Sequence, residues 1–370
     1  MKKILYIITH LEIGGAQKHL LSLLRNLNRD DFCIYLYAGP RGFLRDEFER
    51  IPGINIVYDR FLIREINPFF DIVCFLKMFI FMRRIKFDIV HTHSPKASVL
   101  GRGAAFLAGI KNIVYTVHGW PFHHFMPKGL FYLLVLIEKV AAAITKTIIV
   151  VSRYDLFLAN KYRIVPRGGI KLIHYGIQTE KYQALVSLRK DEIFFPLIIT
   201  VGSLKRQKGL FDFIEAAKLI GQTFPRSRFL IIGGGPQRKK LMRRIKKEGL
   251  NNRIVLPGWL KDLRPLYRYA SLFLLTSLWE GLPLSLIEVV FCGIPAVVTD
   301  TGGIKDIAQG ISSICIVGKG DVSGLAKSAI NILKNYPYFS KIAKRASRDI
   351  DSHYWSEERQ QQEMEPLYVR

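Results

Sequence analysis

The sequence predicts an α/β protein of two similar domains, each a parallel β-sheet with helices wound over both faces. Three observations predict it. Apolar runs of strand length alternate with helix-length amphipathic segments from Lys3 to Val317. Glycines stand where several of these runs end, at Gly14-Gly15, Gly202, Gly233 to Gly235 and Gly302-Gly303. The length of 370 residues suits two domains of ordinary size, each able to bury its own core.

Composition narrows the class. Hydrophobic residues make up 49% of the chain and charged residues 23%, the balance of a globular protein rather than a disordered one. Lys and Arg total 55 against 30 acidic residues, and the resulting +25 favours polyanionic partners: nucleic acid, anionic lipid or phosphorylated substrates. The four cysteines, Cys33, Cys74, Cys292 and Cys315, form no C-x-x-C pair, so a reducing cytosol is expected and no zinc knuckle or disulfide framework. The apolar run Ile4 to Ile8 after Lys2-Lys3 is too short for a signal peptide. No membrane span is expected, because Asp71 and Lys77 interrupt residues 68 to 82, and Glu138 and Lys139 interrupt residues 130 to 144.

Lys3 to Thr9 reads as a buried strand that breaks at Gly14-Gly15 into an amphipathic helix, Ala16 to Leu27. Strands are expected at Phe32 to Ala38, Ile54 to Tyr58, Phe87 to Thr92, Ile113 to Val117 and Ile148 to Ser152. His91 and His93 lie two apart and share a side of their strand. Without a Cys, Asp or Glu trio nearby they read as lining a polar cleft, and no metal site is assigned. His118-Gly119 stands at the next strand tip, placed to hydrogen-bond a ligand. Residues 68 to 86 are rich in Phe, Leu, Ile and Met and end in Arg83, Arg84 and Lys86. The loop with Trp120, Phe122, His123 and His124 is aromatic too, so both segments are expected at an anionic membrane surface.

The polar run Gln178 to Phe195 marks the domain boundary, giving domains of residues 1–177 and 178–352, with a tail, 353–370, returning to the first. A second series opens at Leu197 to Val201 and runs into Gly202-Ser203-Leu204-Lys205-Arg206-Gln207-Lys208-Gly209, where cations and backbone N–H groups suit a phosphate. Gly233 to Pro236 closes the next strand, and the cations from Arg238 to Lys247 form a solvated face. Strands follow at Ile254 to Leu256, Phe273 to Thr276, Ala296 to Thr299 and Ile314 to Val317. Between two of them lies Glu280-Gly281-Leu282-Pro283-Leu284-Ser285-Leu286-Ile287-Glu288. Pro283 is preset for the first turn of a helix, whose unpaired N–H groups attract an anion. Eight helical rises would keep the two carboxylates within about 12 Å of each other.

The order of these features resembles the retaining glycosyltransferases of the GT-B fold grouped as family 4. Gly14-Gly15, His118-Gly119, Gly202 to Gly209, Gly233 to Pro236, the E-x7-E stretch and Gly302-Gly303 carry the resemblance. It implies two Rossmann-like domains facing across a cleft, with a nucleoside-diphosphate sugar, UDP- or GDP-linked, held largely by the second. It further implies Glu288 on the ribose, Lys208 on the diphosphate, and Glu280 and His118 on the sugar. Gly202, Ser203, Gly234, Gly281, Leu282, Pro283, Leu284 and Ser285 would line the donor, and Gly14-Gly15 would admit the sugar closely. No metal is expected, the departing diphosphate being stabilised by Lys and Arg. Ser203 stands where the family commonly has arginine, so Arg206 is expected to replace it, and Tyr175-Gly176 stands where many members have N-G.

The basic, aromatic first domain points to a lipid-linked, polyprenyl-diphosphate saccharide acceptor at the inner membrane leaflet, as in bacterial surface polysaccharide synthesis. A cytoplasmic, peripherally bound enzyme is expected. The rivals are a sugar-nucleotide epimerase of the same fold and a basic non-enzymatic protein binding nucleic acid or membrane. The cations are spread over both domains without a reader motif, which disfavours nucleic acid. An NAD enzyme is disfavoured because no glycine turn presents G-x-G-x-x-G with an acidic residue at the expected distance.

Overall fold

The computed structural model describes residues 1–191 and 195–369. The chain divides into two compact units, one formed by residues 1–176 with the C-terminal segment from Glu357, the other by Ile177–Ser356. The boundary stretch carries the short helix Thr179–Gln183, while residues 192–194 of it, like Arg370 of the tail, lie outside the described residues.

The first unit holds seven parallel strands: β1 (Lys2–Ile8), β2 (Phe32–Ala38), β3 (Ile54–Tyr58), β4 (Ile89–His93), β5 (Asn112–Val117), β6 (Thr147–Val150) and β7 (Ile170–Leu172). Their order is β3-β2-β1-β4-β5-β6-β7. Strand order therefore reverses between β1 and β4, and the turns leaving their carboxyl ends open a crevice there. Near-continuous burial along β1 and β4 is what a sheet covered on both faces requires. The helices Pro68–Ile85, Pro95–Leu107 and Lys128–Ala143 pack in sequence on one another, and Gly15–Asn26 packs against the tail helix Glu357–Met364.

The second unit repeats the plan with β8 (Leu197–Val201), β9 (Arg228–Ile232), β10 (Ile254–Gly258), β11 (Leu272–Leu275), β12 (Ala296–Thr299) and β13 (Ile314–Val317). The order β10-β9-β8-β11-β12-β13 puts its reversal between β8 and β11. Its core joins Ile198, Phe213, Phe229, Leu272, Val297 and Leu325, drawn from the sheet and the helices on it.

Two expectations need correction. Pro283 is the N-cap, extended at φ −77° and ψ 102°, and the helix begins one residue later as Leu284–Phe291, so the E-x7-E spacing is helical only over its second half. Trp120 and Phe122 do not face outward. Both are buried, Phe122 packing against Phe131 and Tyr162, and the Trp120 indole N–H donating to Asp155 O at 2.9 Å. An aromatic run buries its rings wherever a neighbouring helix offers apolar surface.

Over residues 68–86, the helix Pro68–Ile85 turns Cys74, Met78 and Met82 fully inward while Phe75, Phe79 and Phe81 pack part-buried on the same core. The outward residues are Phe69, Ile72, Leu76 and Ile80, spaced to form one exposed stripe. Arg83, Arg84 and Lys86 beyond it are exposed. A second stripe, Leu133, Leu136 and Val140, runs along Lys128–Ala143.

Candidate active site

In the second unit, the turns leaving β8 and β11 stand side by side because those strands pair. Gly209 ends a short 3-10 turn, Arg206–Lys208, at φ +56°, and a Cβ there would lie 2.0 Å from Thr276 O. Only glycine fits, so the two turns lock together at this point. Thr276 Oγ1 donates to Lys208 O at 3.0 Å, and Gln207 Nε2 donates to Trp279 O at 3.0 Å. Gly302, at φ +55°, has the same role after β12: its Cβ would meet Glu280 O at 2.1 Å. Gly303 N–H then donates to Gly281 O at 2.6 Å.

This scaffold aims Lys208 and Glu280 at each other. Lys208 Nζ donates to Glu280 Oε1 at 2.5 Å, and Ser277 Oγ donates to the same oxygen at 2.6 Å. Both side chains are largely withdrawn from solvent, which strengthens the pairing over that of a surface salt bridge. Arg206 is exposed and makes no ion pair among the described residues, so its guanidinium is available to an anion. The helix starting at Leu284 has no side-chain cap, leaving backbone N–H groups at its start. Leu282 and Leu284 are buried and Ser285 is half-buried.

Glu288 lies deeper. It is 2% exposed and accepts a hydrogen bond from Tyr267 OH at 2.6 Å. Burial, then the charge of Glu288, pushes the phenols of Tyr267 and Tyr182 upward, so both remain neutral donors toward that carboxylate. Ser203 is half-buried, and Gly202 and Gly234 sit under side chains: a Cβ on them would meet Lys208 Cε at 2.7 Å and Trp259 Nε1 at 2.6 Å.

In the first unit, the carboxyl ends of β4 and β5 present His93 and His118, and the helix after β1 presents His19. His118 Nε2 lies 3.0 Å from His93 Nδ1, and His118 Nδ1 lies 2.7 Å from Tyr175 OH. Both ring nitrogens of His118 are therefore engaged, and a sugar hydroxyl could reach Nε2 only in exchange for His93. Tyr175, the departure from N-G, is thus the partner of His118. Gly14 is extended at φ −169°, a conformation open to any residue, with the Gln17 side chain over it, and Gly15 begins the helix. His123 is half-buried; His124 is exposed and stacks on Phe131 at 5.8 Å.

Residues 13–181 match the family described as Glycosyltransferase Family 4, and residues 189–349 match Glycosyl transferases group 1. The chain is 30% identical over 313 residues to UDP-Gal:α-D-GlcNAc-diphosphoundecaprenol α-1,3-galactosyltransferase of Escherichia coli, covering 80% of each. The chain belongs to glycosyltransferase family 4. This glycosyltransferase is also similar to the α-monoglucosyldiacylglycerol synthase of Acholeplasma laidlawii, 26% identical over 88% of this chain and 86% of that one. Its fold is GT-B. HepE of Anabaena, solved in complex with UDP and glucose, superposes with a TM-score of 0.81 at 19% identity, covering 99% of both chains.

Proposed function

We propose that this glycosyltransferase moves a hexosyl group, with retention at the anomeric carbon, from a UDP- or GDP-sugar to a lipid-linked saccharide diphosphate in bacterial surface-glycan synthesis. The observation that carries the donor half is the Lys208–Glu280 pair, held by two obligatory glycines at the point where strand order reverses. A diphosphate arriving there draws Lys208 away from Glu280 and meets Arg206 and the uncapped helix start as well. Glu280, still held by Ser277, is then free to accept hydrogen bonds from sugar hydroxyls. The bond from the anomeric carbon to the diphosphate oxygen breaks, its electron pair leaving with the phosphate. Lys208 and Arg206 stabilise that charge without requiring a metal ion. Retention requires the acceptor oxygen to bond the anomeric carbon on the face that the diphosphate vacates, the acceptor hydroxyl giving its proton to the departing diphosphate oxygen. Glu288 would accept from the ribose hydroxyls.

The acceptor half rests on two other observations. The Escherichia coli relative is named for a GlcNAc-diphosphoundecaprenol substrate. No helix of the described residues is long and apolar enough to cross a membrane, yet Phe69, Ile72, Leu76 and Ile80 form an exposed apolar stripe ending in Arg83, Arg84 and Lys86. Such a surface suits peripheral docking on an anionic leaflet, reached from the cytoplasm.

The deciding assay incubates the purified chain with UDP- and GDP-sugars and a short-chain polyprenyl-diphosphate GlcNAc. An elongated, α-linked lipid product is expected; a free epimerised sugar nucleotide with no lipid product would overturn the reading. In a second measurement, vesicles containing phosphatidylglycerol should sediment the protein, with binding falling as salt rises. Changing Phe69, Ile72 and Leu76 together to Ser should weaken that binding by about tenfold or more. Equal sedimentation of the variant would remove the docking assignment while leaving the transferase assignment standing.

A further inference from the structure

The turn joining β3 to the helix Pro68–Ile85 is held along its whole length. Asp59, 1% exposed, accepts from Tyr37 OH, from Lys77 Nζ at 2.8 Å and from the Phe61 N–H at 3.0 Å. Leu62 is buried, and its N–H donates to Asp59 O at 3.1 Å. Asn67 closes the far end: its side chain accepts from Phe70 N–H at 3.1 Å, while its own N–H donates to the Asp71 carboxylate at 3.2 Å. These reciprocal bonds cap the helix. A turn fixed at both ends presents its outward side chains, Arg60 and Arg64, in set positions.

Backbone contacts place this turn along the carboxyl edge of the first sheet. A Cβ on Gly39, just after β2, would meet Leu62 O at 2.6 Å and Thr9 O as well, so the turn lies against the ends of β2 and β1. Lys96, near the start of the helix after β4, donates from Nζ to Glu65 O. The turn therefore crosses from β3 to the crevice where strand order reverses between β1 and β4. Arg41 approaches the same edge from the loop after β2, its carbonyl accepting from Leu11 N–H at 3.1 Å. Its side chain is exposed.

The charges there are unbalanced in one direction. Lys77 matches Asp59 and Lys96 matches Asp71, whereas Arg41, Arg60 and Arg64 make no ion pair among the described residues. Glu65 is the one carboxylate of the turn left to offset them. The Arg60 guanidinium lies 4.9 Å from the centre of the Phe61 ring, which orients it without using its N–H donors. Just beyond these cations the surface turns apolar. Ile66 is 86% exposed and Phe69 68%, and they open the stripe that continues through Ile72, Leu76 and Ile80. Cations set beside an exposed apolar stripe match an anion that carries a hydrocarbon chain.

We propose that Arg41, Arg60 and Arg64 hold the diphosphate of the lipid-linked acceptor, with Ile66 and Phe69 against the first isoprene units of its chain. The assignment rests on the acceptor class proposed above and names the residues that recognise it. Guanidinium groups pair with phosphate oxygens two bonds at a time, and the diphosphate of a polyprenyl-linked sugar is a dianion that an ordinary glycoside lacks. Held here, it aims the saccharide at the crevice, so the enzyme distinguishes a lipid-linked sugar from the same sugar on a neutral carrier. Leaflet headgroups fall to other cations: Arg83, Arg84 and Lys86, at the opposite end of the same helix.

The test measures binding of farnesyl diphosphate to the full chain by calorimetry, with UDP saturating so that the donor's own phosphate positions are filled. Arg60→Gln and Arg64→Gln should each weaken binding about tenfold, and the double variant about 100-fold, as loss of charged hydrogen bonds does. Affinity for UDP should not change. In detergent, the double variant should raise KM for polyprenyl-diphosphate GlcNAc by a similar factor, and its preference for that acceptor over dodecyl α-GlcNAc should fall in step. Changing Arg83 and Arg84 together to Gln should weaken sedimentation with phosphatidylglycerol vesicles instead, leaving farnesyl diphosphate affinity as in the wild type. Unaltered affinity in the Arg60 and Arg64 double variant would overturn the site, and if lipid product still formed, the transferase reading would stand without it. Arginine-dependent binding with no lipid product would sink the transferase reading and leave the diphosphate site in place.

Discussion

Lys208→Met should lower kcat roughly 10²- to 10³-fold, the effect of removing one charge-stabilising donor from a reacting centre. The structure makes a second, more discriminating result available through its partner. Lys208 Nζ and Ser277 Oγ share Glu280 Oε1 at 2.5 Å and 2.6 Å. Losing Lys208 removes the cation meant for the diphosphate, so UDP affinity should fall with turnover. Glu280→Gln instead keeps an oxygen for Ser277 but leaves Lys208 without its counter-charge. Its ammonium is then freer for phosphate, so UDP should bind as well as before or better while kcat falls. Measuring Kd for UDP by calorimetry beside kcat for both variants separates the roles. If Glu280→Gln and Lys208→Met weakened UDP binding equally, the pair would be a structural salt bridge only. Arg206→Ala, at an exposed residue, should weaken UDP binding and lower donor turnover together, and unchanged turnover would remove its role at the departing diphosphate.

Most of this scaffold was legible before any coordinates. Alternation of strand and helix lengths is a local property, and glycines at the strand ends mark the turns, whereas the carbonyls of Thr276 and Glu280 that lie against Gly209 and Gly302 come from turns far along the chain. What could not be read was which distant residues meet. His93 and His118 stand on neighbouring strand tips because β4 pairs β5, while His19 arrives on the helix after β1. Gln360 joins them from the other end of the chain. Tyr175 was visible as a departure from N-G, but its meaning, a hydroxyl on His118, required the fold. The burial of Trp120 and Phe122 shows the same limit. An aromatic and basic run has identical composition whether its rings face lipid or a neighbouring helix, and only packing tells them apart.

Glu138 was read as an interruption that keeps residues 130 to 144 from spanning a membrane, and its structural role leads to the largest expected loss of stability. Its carboxylate is 1% exposed and accepts from Arg102 Nη2 at 2.7 Å, with Arg102 itself fully buried. The guanidinium lies over the Tyr115 ring at 4.4 Å, and its Nε donates to Ser98 O at 3.3 Å. Glu138→Ala leaves that cation in an apolar interior without a counter-charge, which costs about 3–5 kcal/mol. At about 2–4 °C per kcal/mol for a unit of this size, the calorimetric transition of the first unit should fall by roughly 10 °C. Pairing the change as Arg102→Met with Glu138→Leu removes both charges and should recover most of the loss, because the desolvation penalty of the ions disappears with them. Glu138→Gln should lie between, since a neutral oxygen still accepts from the guanidinium. A double variant as unstable as Glu138→Ala alone would show that side-chain volume, rather than the uncompensated charge, sets the cost.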